Sequence, residues 1–292
     1  MGLVSIIVPN LNSPILNQTL DSLLTQTYEG SYEIIVVGQD KFDNKTKYPG
    51  VKFIETKEPL NPAQARNLGV RSSSGSFLVF IDSDCIADKD WLTILLRTLL
   101  EDEKRIVGSG VTSLKNNYWT LSDNIASFHD YMTWTSAGER DQLPSIGLAI
   151  RRIDFISVGM FNEKYKYPAG EDSELTTKLK LSGYKLMFQP QAVLLHNPQR
   201  SNFFQVLRHA FFYGSNSIKV NPAYQSVLRI PFILRSWILT IIFSPILSLY
   251  VVLKIVFFQN LPLEMWKTLP VVFLAKIAWC FGASSTLRKR KL

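Results

Sequence analysis

The sequence predicts an α/β protein built on a largely parallel sheet. Three observations carry that expectation. Apolar runs of strand length recur through residues 1–200, stretches with apolar residues at helical spacing alternate with them, and glycine, proline or a capping residue marks most junctions. Such strands are apolar throughout because helices cover both faces of the sheet. Ligands of these sheets bind at the carboxyl ends of the strands, so function is to be sought there.

LVSIIVP (Leu3–Pro9) is a β-branched run ended by a proline and reads as the first strand. Asn12 or Ser13 can cap a helix with Pro14 at its first position, and Ile15, Leu16, Leu20, Leu23 and Leu24 follow at helical spacing. YEIIVVG (Tyr32–Gly38) is a second buried strand and VKFIE (Val51–Glu55) a third. PAQARNLGVRSS opens on Pro62 and reads as a helix. SFLVFID (Ser76–Asp82) is a fourth strand, Asp88–Glu101 a helix with apolar positions every three or four residues, and RIVGSGV (Arg105–Val111) another strand. Lys115–Leu143 lacks clean periodicity and is either a substrate-shaping flap or a packing helix. Leu148–Phe161 returns to strand–helix logic. A helix opens at Glu171 with acids in its first turn and Gly183 as its stop, and the last strand ends at His196.

Acids stand at two of these ends. In FLVFIDSDC (Phe77–Cys85), Asp82 and Asp84 are spaced i, i+2, so in an extended chain they share a face while Ser83 takes the other. Two such carboxylates repel unless a cation or ordered water relieves them. A hard divalent cation completed by diphosphate oxygens fits the pair; a solvated turn that caps the next helix is the plainer reading. Glu171 and Asp172 are either acids that stabilise a helix dipole or a catalytic pair. His196 is either a polar strand end or a ligand.

In order along the chain, SIIVPNLN, ARNLG, IDSDC, GLAIRR with VGMFNE, and GEDSEL resemble the motifs of the family 2 glycosyltransferases of the GT-A fold, from Val4 to about Tyr213. The resemblance implies a Rossmann-like mixed sheet flanked by helices. It also implies inverting, metal-dependent transfer from a UDP- or GDP-sugar. On that likeness Pro9, Asn10 and Asn12 line the nucleotide pocket, Arg66 and Asn67 approach the nucleotide, and Asp82 with Ser83 meets the ribose. Asp84 would hold Mn²⁺ or Mg²⁺, with His196 completing the shell, and Gly147 belongs to the acceptor-side segment. Asp172 would be the base for the acceptor hydroxyl and Glu171 its neighbouring holder. QVLRH (Gln205–His209) is similar to the QxxRW signature of processive synthases but lacks the tryptophan, so processivity is not implied; Arg208 would help neutralise the diphosphate. One departure concerns the base. After the second strand the family commonly carries an acidic turn, whereas this chain has VVGQDKFDN, so either Asp40 serves through a slipped turn or Gln39 reads the base by its amide.

The 292-residue chain carries a net charge of +8, yet its basic residues are scattered and no nucleic-acid motif accompanies them, so no nucleic-acid partner is expected. Cys85 and Cys280 make no disulfide framework and read as reduced structural thiols. The apolar start is too short for a secretory leader and reads as a strand. Charge becomes sparse between Ile230 and Thr286, which divides the chain into a catalytic domain (1–200), amphipathic connecting helices (201–229) and two hydrophobic membrane helices with a basic tail (230–292). Trp237–Leu253 is the first span, with Pro245 a kink. Leu269–Thr286, carrying Lys276, either spans or lies in the interface. The charge bias, including the RKRK tail, places the catalytic domain on the cytoplasmic side of the cell membrane. Membrane lipids and a lipid-linked or membrane-proximal acceptor are the partners this implies. A polyprenyl-phosphate glycosyl synthase resembling dolichol-phosphate mannose synthase, a nucleotidyltransferase and a silent scaffold are the rival readings.

Overall fold

Apolar, β-branched runs become strands here because neighbouring strands and covering helices bury them from both sides. The computed structural model describes residues 2–165, 169–225, 228 and 230–289. It divides into two units, Met1–Thr112 with Ala137–Asn197, and Ser113–Ser136 with Pro198–Leu292.

The first unit is built on a nine-stranded sheet. Its strands are β1 (Val4–Leu11), β2 (Tyr32–Gln39), β3 (Lys52–Glu55), β4 (Phe77–Ile81), β5 (Cys85–Ala87), β6 (Arg105–Thr112), β7 (Gly138–Glu139), β8 (Gly147–Arg151) and β9 (Lys185–His196). They lie in the order β3-β2-β1-β4-β8-β6-β9-β5, with β7 pairing β9. The first four run parallel, whereas β8 runs antiparallel to both β4 and β6, so the sheet is mixed. Helices α1 (Leu16–Leu24), α2 (Asn44–Lys47), α3 (Pro62–Arg71) and α4 (Trp91–Leu100) connect the early strands. Helix α5 (Tyr118–Phe128) belongs to the second unit, and α6 (Arg152–Ser157) and α7 (Glu171–Leu181) return to the first. Leu78, Val79, Phe80 and Ile81 of β4 are wholly buried, and Phe80 packs tilted against Phe155 and edge-to-face with Phe161, ring centroids 5.3 and 5.1 Å away. Each such side chain contributes about 1.5–3 kcal/mol by leaving water. FLVFI is thus core, and it delivers the acids that follow it to a fixed place.

Three local expectations are corrected. Pro9 lies inside β1 and does not end it: beyond Ile7 the strand pairs with β2 only, and a proline is tolerated where one side needs no donor. Neither Asn12 nor Ser13 caps α1, which starts at Leu16 behind Ile15. Asn12 sits in the left-handed region (φ 56°) and accepts from the Lys41 N–H at 2.9 Å. Helix α4 begins at Trp91, not Asp88, because Cys85–Ala87 is taken up as β5, paired antiparallel with the end of β9.

The second unit is helical: α5, α8 (Phe203–Ser215), α9 (Pro222–Gln225), α10 (Trp237–Ile242), α11 (Ser244–Phe258) and α12 (Leu269–Lys289). The uncertain segment after Lys115 is therefore a packing helix, seated against α8 and α12. Helices α8 and α12 approach so closely that a Cβ on Gly214 would stand 1.9 Å from the Trp279 carbonyl oxygen, and one on Gly282 2.0 Å from that of Phe211. His209, where the synthase signature has tryptophan, holds Asp123 through Nδ1 at 2.7 Å, and Arg200 Nε donates to the same carboxylate at 3.1 Å. The expected first span is broken into α10 and α11: Phe243 leaves helical geometry and Pro245 restarts the helix without an N–H to donate. Leu263–Lys289, 27 residues, is long and apolar enough to cross a membrane. Arg290 and Lys291 of the RKRK tail lie outside the described residues.

Candidate active site

At the end of β4 the chain turns. The Cys85 N–H donates to the Asp82 carbonyl at 3.1 Å, and the hydroxyls of Ser13 and Thr19 donate to the Ser83 carbonyl at 2.7 and 3.1 Å. The expectation that Asp82 and Asp84 share one face of an extended strand is thereby corrected: these bonds fold DSD into a turn, and its two acids meet different partners.

Asp84 meets the last strand. Cys85 pairs in register with His196, which brings His196 Nε2 to 3.6 Å from Asp84 Oδ1. With Cys85 Sγ, these ligand atoms all lie within 4.8 Å of one another. Burial, reinforced by the charges of Asp84 and Asp82, pushes the Cys85 thiol up, so it stays protonated. What remains is a carboxylate oxygen and an imidazole, a donor pair that could hold a divalent cation and offers no thiolate to a thiophilic metal.

Asp82 meets Arg66. Helix α3 starts on a capping box, Asn61 with Gln64, and Pro62 fixes its first turn. It buries Arg66 to 3% exposure, stacked 5.4 Å over Phe161. Arg66 Nη2 donates to Asp82 at 2.6 Å and Nη1 to Glu171 at 2.9 Å. Burial opposes the guanidinium charge, but Asp82 and Glu171 outweigh it and hold the group firmly protonated.

Glu171 and Asp172 open α7 behind Gly170, whose φ of 97° few other residues adopt. The helix start has no side-chain cap. Asp172 takes that place from within, accepting the Ser173 N–H at 2.7 Å on one oxygen and the Ser145 N–H at 3.2 Å on the other. Burial raises the proton affinity of both acids, against the pull of Arg66; repulsion from Asp172 adds to it at Glu171, which is pushed up to about 7. Glu171 Oε2 and Arg66 Nε are buried without a hydrogen-bond partner.

The residues expected on the nucleotide side interlock at the ends of β1 and β2. Gly38 admits no side chain, since a Cβ there would stand 1.9 Å from the Asn10 carbonyl oxygen. Asn10 Nδ2 donates to the Gln39 carbonyl at 2.7 Å, and Gln39 Nε2 to the Lys57 carbonyl at 3.1 Å. The Asp40 carboxylate accepts from the Asn44 N–H at 2.6 Å and its amide at 2.8 Å, which ties it to α2. Asn67 is buried, its amide spent on the Phe161 carbonyl and Glu163, both at 2.9 Å. Gly147 is buried against Ser109 and Leu194. Arg208 belongs to the second unit and lies over Phe212 at 5.6 Å. The roles of Ser13, Thr19 and Ser145 were not foreseen, because a hydroxyl or N–H that holds a turn leaves no mark on spacing.

A mixed sheet that ends one strand in DSD and opens a nearby helix with Glu-Asp is the layout of a GT-A glycosyltransferase. Residues 5–163, more than half of the chain, match the model of glycosyl transferase family 2, and the chain belongs to that family. It is 28% identical over 246 residues to glycosyltransferase AglE of Haloferax volcanii, covering 81% of this chain and 80% of that one. Against the next curated relatives it spans about half of their length or less. Among solved structures it is similar to the mannosyltransferase PcManGT of Pyrobaculum calidifontis, in complex with GDP-Man and Mn²⁺ (TM-score 0.58, 21% identity, 94% of this chain and 74% of that one). It is similar also to GalNAc-T7 with UDP, GalNAc and Mn²⁺ (TM-score 0.55, 17% identity, 78% and 52%).

Proposed function

We propose that the protein is an inverting glycosyltransferase that uses a nucleoside-diphosphate sugar, UDP- or GDP-linked, and a divalent cation, Mn²⁺ or Mg²⁺. The observation that carries this reading is Arg66, whose guanidinium joins the DSD turn to the Glu-Asp helix start, so that a donor-type and an acceptor-type motif form one site. Both similar structures hold a nucleotide with Mn²⁺, which supports the donor class.

In this reading Asp82 and Ser83 hold the ribose side of the donor, with Asn10, Asn12, Gln39 and Asp40 at the base side. Asp84 and His196 hold the cation, which when bound supplies charge to offset the diphosphate. Asp172, oriented by two backbone N–H groups, takes the proton of the acceptor hydroxyl, and its raised proton affinity suits it to that task. Glu171 lies next to it, fixed by Arg66 and with one oxygen unused for the hydroxyl. The acceptor is lipid-linked or membrane-proximal, and the enzyme sits at the cell membrane with its catalytic unit on the cytoplasmic side; the 27-residue apolar helix Leu263–Lys289 supports membrane association, and the side rests on the charge bias of the sequence.

The test is release of nucleoside diphosphate from a panel of nucleotide sugars by detergent-solubilised protein. Release from one donor, abolished by chelation and by Asp84→Ala, is expected. Release of pyrophosphate would replace this reading with nucleotidyl transfer.

A further inference from the structure

Arg66 is buried, at 3% exposure, and it spends two nitrogens on two carboxylates of different accessibility. The Asp82 side chain is 32% exposed and can meet a bound molecule; that of Glu171, at 5%, is enclosed. The Arg66 charge is drawn on by three acids, Asp82, Glu171 and Asp172, and it is the one guanidinium bonded to any of them among the described residues. The network is also unsaturated, since Arg66 Nε and Glu171 Oε2 are both buried without a partner. A single cation shared among several acids in a dry site makes their bonds interdependent. Whatever draws Asp82 away or neutralises it changes the hold of Arg66 on Glu171.

We propose that Arg66 is a positioning residue that couples the two halves of the site: a nucleoside diphosphate engaging Asp82 resets the bond from Arg66 to Glu171 and so sets Glu171 for the acceptor hydroxyl. The proposal rests on the reading of Asp82 as a donor contact. Coupling is reciprocal, so a change at Glu171 must be felt in nucleotide affinity although Glu171 does not touch the nucleotide.

The experiment is titration of UDP and GDP, each with Mn²⁺, into wild type, Glu171→Gln, Arg66→Lys and the double variant, with a thermal melt of each. Lysine keeps the charge but is a single compact donor that does not reproduce the forked hold on two acids. We expect Glu171→Gln to weaken nucleoside-diphosphate binding by about fivefold or more, the lower range of measured couplings, because Asp82 then holds Arg66 without a competing carboxylate bond and is harder to draw away, and this effect to shrink below about twofold in the Arg66→Lys background. An unchanged affinity in Glu171→Gln overturns the coupling while leaving the glycosyltransferase reading intact. An effect of equal size in both backgrounds assigns it to charge acting through space and overturns the role of Arg66. Failure of wild type to bind either nucleotide removes the donor site and the coupling together. If Arg66→Lys does not fold, the melting temperatures of Asp82→Asn, Glu171→Gln and their double variant decide. Acids joined through Arg66 give a shift that departs from the sum of the singles, and additive shifts overturn the coupling.

Discussion

Asp172 and Glu171 are neighbours in sequence with separate physical lives. Asp172 is oriented by two backbone N–H groups, whereas Glu171 is fixed by one guanidinium and otherwise enclosed. Replacing Asp172 by asparagine keeps the shape and removes the base, so turnover at saturating donor is expected to fall by about 10²–10⁴-fold. Turnover within a few-fold of wild type would favour an acceptor that is already an anion, such as a polyprenyl phosphate. Because burial raises the Asp172 proton affinity, the acid limb of the pH–rate profile should lie above the ordinary aspartate value of 3.8 and vanish in that variant. Glu171 makes a stability prediction. Its folded-state value is raised from 4.5 to about 7, so the folded protein binds more protons than the unfolded chain in that window. Stability contributed by the protonated acid is present below pH 4.5 and is lost as pH rises toward 7. Denaturant titrations should show this slope in wild type and a flatter one in Glu171→Gln.

Elements position these side chains, and some were easier to read than others. The strands β1, β2, β4 and β6 announce themselves because a strand buried on both faces must be apolar throughout, and α3 because Asn61, Pro62 and Gln64 are its cap. Strand β5 was illegible: three residues carry no periodicity, and only pairing with β9, distant in sequence, makes Cys85–Ala87 a strand. Yet that pairing brings His196 to Asp84, so the motif was visible while the reason for its geometry was not. The DSD turn was misread for the same reason, since hydroxyls from α1 and the loop before it fold it. In the helical unit, the contact of α8 with α12 depends on two absent side chains. Gly282→Leu would drive a side chain into the Phe211 carbonyl and should cost about 1–3 kcal/mol, read as a lower melting temperature in detergent. An unchanged melt would mean that the helices do not meet this closely.

For the whole molecule, the fall in charge after Ile230 draws a boundary by composition, and it did not reveal that residues 113–136 pack with residues 198–292 as one unit. That segment joins by tertiary packing, to which composition is blind. If Leu263–Lys289 crosses a bilayer, the protein stays with membranes through an alkaline carbonate wash, and its release would argue for surface attachment. The central claim, that the DSD turn and the end of β9 make one metal-dependent donor site, is tested most directly by titrating Mn²⁺ and following its electron paramagnetic resonance signal. The titration is made with UDP or GDP present, in wild type, Asp84→Asn and His196→Ala. The account predicts one bound Mn²⁺ per chain in wild type. It predicts affinity lowered by about tenfold or more in each variant, no less than the loss of a mere supporting group costs a metal site. Binding of wild-type strength in both variants would contradict it.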